Sequence, residues 1–242
     1  MKGASGASLH LGGDIVAKTC SDAALQAEWY SLATTKIAKT PKVYEVNGDS
    51  YKMEYVEGHE ATREPTLAVV RTLVEEVIAW KEVPSVYINP WSSYLKRLEE
   101  HVEMSGNAKA MCKAFDTVLF AKPPQPSFNH GDLTFENVLV SGDDLYLIDP
   151  NYKPNLYQSY SLDFGKMLQS THAQYHKIFD SHHGCSLERQ GKWLENWLRI
   201  HNEWDLAIIN CVGHLIRLRK YQPVNKHTLV DDCITNIIEH HL

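Results

Sequence analysis

The sequence predicts an α+β fold in two unequal lobes, a small strand-rich N-lobe followed by a larger, mostly helical C-lobe. Two observations carry this. Up to Gly58 the chain is a set of short strand-like segments broken by Gly-rich turns around a single helix, and from Glu64 onward apolar residues recur at helical spacing. A third observation is a short strand pair inside the helical part, Val138–Val140 and Tyr146–Ile148, joined by a Ser141-Gly-Asp-Asp144 turn. The predicted division is residues 1–57 and 58–242.

In the first lobe, Ser8 to Leu11 alternates, Gly12-Gly13 makes a hairpin turn, and Ile15 to Lys18 resumes a strand. Ser21 or Asp22 then caps a helix that the pattern carries to about Lys39, with Leu25, Trp29, Leu32 and Ala33 on one face and Pro41 as the stop. Val43–Val46, the turn Asn47-Gly48-Asp49 and Tyr51–Val56 form a second hairpin. In the second lobe, helices are predicted over Thr66–Lys81, Trp91–Met104, Ala108–Phe120, Leu162–Phe179, Leu187–His201, Trp204–Tyr221 and Thr228–His240. Lys122-Pro-Pro-Gln-Pro126 breaks the series, because consecutive prolines cannot continue a helix.

Composition narrows the class. Apolar residues make up 43% and charged residues 22% of 242, the balance of a globular chain rather than a disordered one. A formal charge of −6 argues against nucleic acid or an anionic membrane as the main partner. No apolar run approaches the roughly 20 residues that span a bilayer. Five scattered cysteines with no Cys-x-x-Cys pair read as reduced thiols, which places the protein in the cytoplasm. The His182-His183 and His240-His241 pairs read as surface residues.

Chemistry concentrates in Asn129-His-Gly-Asp-Leu-Thr-Phe-Glu-Asn-Val-Leu-Val140 and Leu145-Tyr-Leu-Ile-Asp-Pro150. Phosphoryl transfer from ATP needs a carboxylate beside the attacking hydroxyl and oxygen ligands that hold Mg2+ against the phosphates. Asp132 fits the first role. Asn137, five residues on, and Asp149, a further twelve residues on at the end of an apolar strand, fit the second. His130 reads as a buried support of the loop, since Asp132 already fills the role of base.

His130-Gly-Asp-x4-Asn137 followed by Ile148-Asp149-Pro150 resembles the aminoglycoside phosphotransferase and choline kinase family, small-molecule relatives of the protein kinases. The resemblance implies the bilobal protein-kinase-like fold, Mg-ATP as cofactor, and transfer of the gamma-phosphoryl group to a hydroxyl of a small molecule such as a sugar, amino alcohol or aminoglycoside. It also implies that Asp163, in the tempting Asp163-Phe164-Gly165, supports the catalytic loop through hydrogen bonds rather than holding the metal. Asp149 directly follows a strand, whereas Asp163 sits at a helix start.

On the nucleotide side, Ile15-Val-Ala-Lys18 resembles the strand bearing the phosphate-pairing lysine, with Glu28 in the next helix as its ion-pair partner. Gly3-Ala-Ser5-Gly6-Ala-Ser8 is the candidate phosphate-covering loop, although hardly any chain precedes it to form the usual first strand. Met53, Glu54, Tyr55 and Val56 resemble the linker that lines the adenine pocket. The acceptor side is poorly written: Trp193, Trp197 and Trp204, the acids Glu188, Glu195, Glu203 and Asp205, and Tyr152 and Tyr157 are candidates for it. Two other readings remain open. One is a catalytically weak kinase-like binding module. The other is a protein kinase, disfavoured by His-Gly-Asp and by the missing Ala-Pro-Glu segment.

Overall fold

The computed structural model describes residues 7–33, 35–106, 108–173, 178 and 186–242. The N-lobe sheet has four antiparallel strands, β1 (Ser8–Gly12), β2 (Ile15–Thr19), β3 (Val43–Asn47) and β4 (Ser50–Glu54), in the order β1-β2-β4-β3. The period-2 alternation puts Val16 and Lys18 on the inner face, opposite Met53 and Tyr51 in register, and all four side chains are buried.

Helix α1 (Ala23–Leu32) closes that face with Ala23, Gln26, Ala27, Trp29 and Tyr30. It is shorter than the sequence predicts, and Pro41 is not what ends it. The buried carboxylate of Glu76 accepts the backbone N–H groups of Lys36, Ile37 and Ala38 at 2.8–3.1 Å, which fixes the chain in a non-helical path. The backbone of Lys39 then bonds Leu145 and Leu147 of the C-lobe hairpin. Leu25 and Leu32, read as inward-facing, are only half-buried.

The strand β4 ends at Glu54, two residues before its predicted end. The chain then enters β5 (His59–Glu60), which joins β6 (Val138–Ser141) and β7 (Asp144–Leu147) in a three-stranded sheet. The helices around it are α2 (Leu67–Trp80), α3 (Trp91–Met104), α4 (Lys109–Leu119), α5 (Tyr160–Thr171), α6 (Glu188–Ile200), α7 (Trp204–Arg219) and α8 (His227–His241). Thr66 caps α2 by accepting from Val69 N at 3.2 Å.

Helix α5 starts two residues before its predicted start, with Ser159 as cap, and packs closely on α7. Gly165 makes that approach possible: a Cβ there would lie 2.7 Å from the Asn210 side chain and 2.8 Å from its backbone. His241, expected at the surface, is half-buried, its ring 5.2 Å from that of His172 and 5.7 Å from that of Trp204.

Candidate active site

The candidate catalytic loop runs from Asn129 to Asn137, ending in a short 3-10 turn (Phe135–Asn137) that feeds β6. It is anchored from both sides. From the N-lobe side, Trp29 stacks on Phe128, meets the His130 ring edge-on at 5.0 Å and donates its indole N–H to Asn129 O at 2.9 Å. From beneath, Asp163 on α5 accepts the amides of His130 and Gly131 at 2.6 and 2.9 Å. Burial pushes the Asp163 carboxyl up to about 7, against the pull of those two donors. It does not cap its own helix.

Gly131 has φ +80, and a Cβ there would run into the carbonyl of Asn151. Asn151 N donates to His130 O at 2.9 Å, so the two loops lie back to back and only glycine fits between them. His130 is fully buried, and burial lowers it to about 4, leaving its ring neutral at ordinary pH.

Asp132 is held by two partners. Lys166 Nζ lies 2.9 Å from its Oδ1, and Asn137 Nδ2 donates to its carbonyl at 2.7 Å and to its Oδ2 at 3.1 Å. Burial pushes the Asp132 carboxyl up, but the Lys166 ammonium prevails and holds it below the ordinary carboxylate range. Glu136, half-buried beside it, is pushed up to about 7 by burial and by the charges of Glu60 and Asp132.

The hairpin brings the third residue over. Ile148 N donates to Asn137 O at 3.0 Å, which sets Asp149 beside Asn137. Asp149 takes φ +59, a left-handed conformation that is strained for a side chain other than glycine, and its N–H donates to Tyr30 Oη at 3.1 Å. Its side chain is 48% exposed and meets Lys18 Nζ in a short ion pair. Lys18 is itself buried, and that burial lowers its pKa.

The expected Lys18–Glu28 pair does not form. Glu28 accepts from the hydroxyl of Tyr87 at 2.8 Å, and Asp149 takes its place at Lys18. The reason lies in the phase of α1: Gln26, Trp29 and Tyr30 fill the inward stripe, leaving Glu28 on the flank. Met53 is buried in β4, Glu54 closes the strand by accepting from Lys42 N at 3.2 Å, Tyr55 donates its amide to Asp14 O at 2.9 Å, and Val56 is half-buried. Ser5 and Gly6 lie outside the described residues.

Of the acceptor candidates, Trp204 is buried, Trp193 carries the Arg71 guanidinium over its ring, and Trp197 stacks on His201. Glu203 bonds Lys81 and Tyr160. The cavity beside the loop is lined instead by Tyr94, Arg97, Asn129, His214 and Arg217, with Tyr157 the one residue foreseen. Lys166 was equally hidden, but it had a signal: it sits one turn beyond Asp163, so a loop held by Asp163 brings Lys166 to the same face.

These features define a bilobal protein-kinase-like fold, with an antiparallel sheet in the N-lobe and a helical C-lobe. Its structural neighbours are small-molecule kinases and phosphotransferases. A thermostable mutant of aminoglycoside phosphotransferase APH(4)-Ia, in ternary complex with AMP-PNP and hygromycin B, superposes with a TM-score of 0.70 at 12% identity, covering 96% of this chain and 89% of that one. A putative fructosamine-3-kinase from Thermobifida fusca gives 0.61 at 18% identity over 93% and 85%. A choline/ethanolamine kinase family protein from Mesorhizobium loti gives 0.57 at 13% over 96% and 83%. No protein-family model matches the sequence, and no curated protein matches it.

Proposed function

We propose that this protein is a cytoplasmic small-molecule kinase that moves the gamma-phosphoryl group of ATP to a hydroxyl. The observation that carries the reading is Asp132, held ionised between Lys166 and Asn137, with the Lys18–Asp149 pair at the neighbouring loop. In this reading the acceptor oxygen attacks the gamma phosphorus while the bond to the bridging oxygen breaks. ADP leaves with that electron pair, and the acceptor's proton passes to Asp132. Buried, neutral His130 and the Asp163 carboxylate keep the loop in place for that step.

Asn137 and Asp149 would hold Mg2+. Both are hard oxygen donors, and the half-exposed Asp149 carboxylate projects from a strained backbone position, the kind of site Mg2+ prefers to share with phosphate oxygens. Bound there, the ion supplies positive charge to the phosphates. Lys18 would exchange its contact with Asp149 for the alpha and beta phosphates, and Met53 to Val56 would line the adenine. Solved neighbours carry AMP-PNP or GDP, which supports a nucleotide in this cleft. The missing Lys18–Glu28 pair favours a second reading, a nucleotide-binding module without turnover.

A panel of hydroxyl compounds assayed for stimulated ADP release tests the proposal, with Asp132→Asn as control. Magnesium-dependent release that falls by about 10²–10⁴ in the variant supports it. Nucleotide binding with no release from any acceptor favours the binding module, and no nucleotide binding at all removes both readings.

A further inference from the structure

Away from the candidate active site, three helices bring together side chains of a different chemistry. His172 caps the C-terminus of α5, Glu195 lies on α6 and His241 ends α8, and one ligand atom of each falls within 4.8 Å of the other two. All three residues are half-buried. They stand far apart in the chain, so no spacing in the sequence announces them. The cluster lies at the opposite end of α5 from Asp163, about 13 Å along the helix axis.

The surroundings fix each donor. The Thr171 hydroxyl donates to Met167 O at 3.1 Å and therefore accepts Nδ1–H of His172 at 2.9 Å. The ring proton thus sits on Nδ1, which turns the Nε2 lone pair towards Glu195 Oε2 at 3.4 Å. The other carboxylate oxygen, Oε1, is taken by Arg199, whose Nε and Nη2 lie 2.9 and 2.8 Å away. Arg199 is in turn held over the Trp204 ring, 4.3 Å from its centroid. Trp204 Nε1–H donates to the His241 carbonyl at 3.4 Å. The His241 ring stands edge-on to that of His172 at 5.2 Å and makes no hydrogen bond among the described residues.

A lone pair and a carboxylate oxygen facing each other at this distance repel unless a positive charge lies between them. A proton closes such a gap as an imidazolium–carboxylate pair, and it asks for no third group. A metal ion closes it as a bridge and needs further donors, which is what His241 supplies. The distance suits the ion: a tetrahedral Zn2+ with bonds of about 2.0–2.1 Å sets its donors roughly 3.3 Å apart. A small turn of the His241 ring brings it in. The supports match as well, since a metal-bound imidazole normally donates its second N–H to a neighbouring oxygen and a metal-bound carboxylate is itself hydrogen-bonded. Arg199 is a like charge to the ion, but its guanidinium is already spent on Oε1 and on the indole face.

We propose that His172, Glu195 and His241 form a binding site for a divalent transition-metal cation, zinc first among them, that ties α5, α6 and α8 together. Two imidazoles and one carboxylate favour Zn2+ or Co2+ over Mg2+, which prefers all-oxygen surroundings. A water completes the tetrahedron. The site is independent of the phosphotransferase reading and of the Mg2+ assigned there to Asn137 and Asp149.

Calorimetric titration of the full chain with zinc chloride, against a background of excess magnesium chloride that occupies hard-oxygen sites, tests the proposal, together with thermal unfolding in the same solutions. One zinc per chain and a raised unfolding midpoint are expected. His241→Gln changes a half-buried side chain at a helix end, and is expected to keep the metal-free midpoint of wild type while binding zinc at least tenfold more weakly. Glu195→Gln repeats the loss from a second helix. Co2+ in place of zinc is expected to give the strong visible absorption of tetrahedral coordination in wild type and in neither variant. A chain that takes up no zinc gives the gap to an imidazolium and overturns the proposal. Unchanged zinc affinity in either variant overturns the ligand set and puts the ion elsewhere on the chain.

Discussion

Lys166 Nζ stands 2.9 Å from Asp132 Oδ1, reaching up from the same helix whose Asp163 grips the loop from below. One turn of α5 therefore both positions the candidate base and sets its charge. Replacing this lysine with methionine keeps most of the stem packing and removes the cation.

In Lys166→Met the Asp132 carboxyl loses the partner that holds it down, so its pKa rises. The acid limb of kcat/KM then moves to higher pH, and activity near neutrality falls less than at low pH. A pH–rate profile checks this. An unshifted acid limb means that Lys166 has no electrostatic hold on the base.

Asp149 and Asp163 separate cleanly as variants. Asp149→Asn is expected to fold normally and lose magnesium-dependent nucleotide binding. Asp163→Asn replaces one accepting oxygen beneath the His130 and Gly131 amides by a donor, costing about 1.5–3 kcal/mol of stability while nucleotide binding persists. Calorimetric titration with Mg-ATP and urea midpoints measure both. The opposite pattern would assign the metal to Asp163.

Gly131→Ala is the sharpest backbone test. The added methyl meets the Asn151 carbonyl and cannot keep φ +80 without strain. A loss of about 2–4 kcal/mol, or a displaced loop with little activity, is expected from the overlap and the strain together. Wild-type stability in this variant would show that the loops are free to separate.

Two buried histidines give stability a pH slope. His130 and His101 are both lowered to about 4 by burial, and in His101 the nearby cations Lys220, Arg217 and Arg97 add to it. Each is neutral when folded and takes up a proton at about 6.5 when unfolded. Their contribution is complete above about pH 6.5 and is lost as pH falls towards 4. Each adds up to about 1.4 kcal/mol per pH unit in that window. His101→Gln is expected to flatten urea midpoints measured between about pH 7 and about pH 5. A slope equal to wild type would rule out its share.

The parts read correctly from sequence are those whose cause is local. The hairpins follow from turn residues and alternation, and α2, α3 and α4 from apolar spacing. That Asp132, Asn137 and Asp149 lie near one another follows from loop and hairpin over a short stretch of chain. What stayed hidden depends on contacts across the fold. Glu76 ends α1 from forty residues away, and no periodicity announces it. Glu28 has the spacing of a lysine partner, yet the packing of Trp29 and Tyr30 turns it aside. The arginine-lined cavity draws on α3 and α7, which come together only through the tertiary fold.

The grip of Glu76 on residues 36–38 and of Asn129 on Trp29 has a mechanical consequence. Although α1 belongs to the N-lobe by chain order, it is fastened at its exit and along its inner stripe to the C-lobe. Gln26 and Tyr30 of the same helix pack on Tyr51 of the sheet, so α1 is a tie between the lobes, and any change in their relative position would have to break contacts on one side of it. Lys18 stands on the sheet and Asp149 follows the C-lobe hairpin, so their ion pair is a second tie between the lobes.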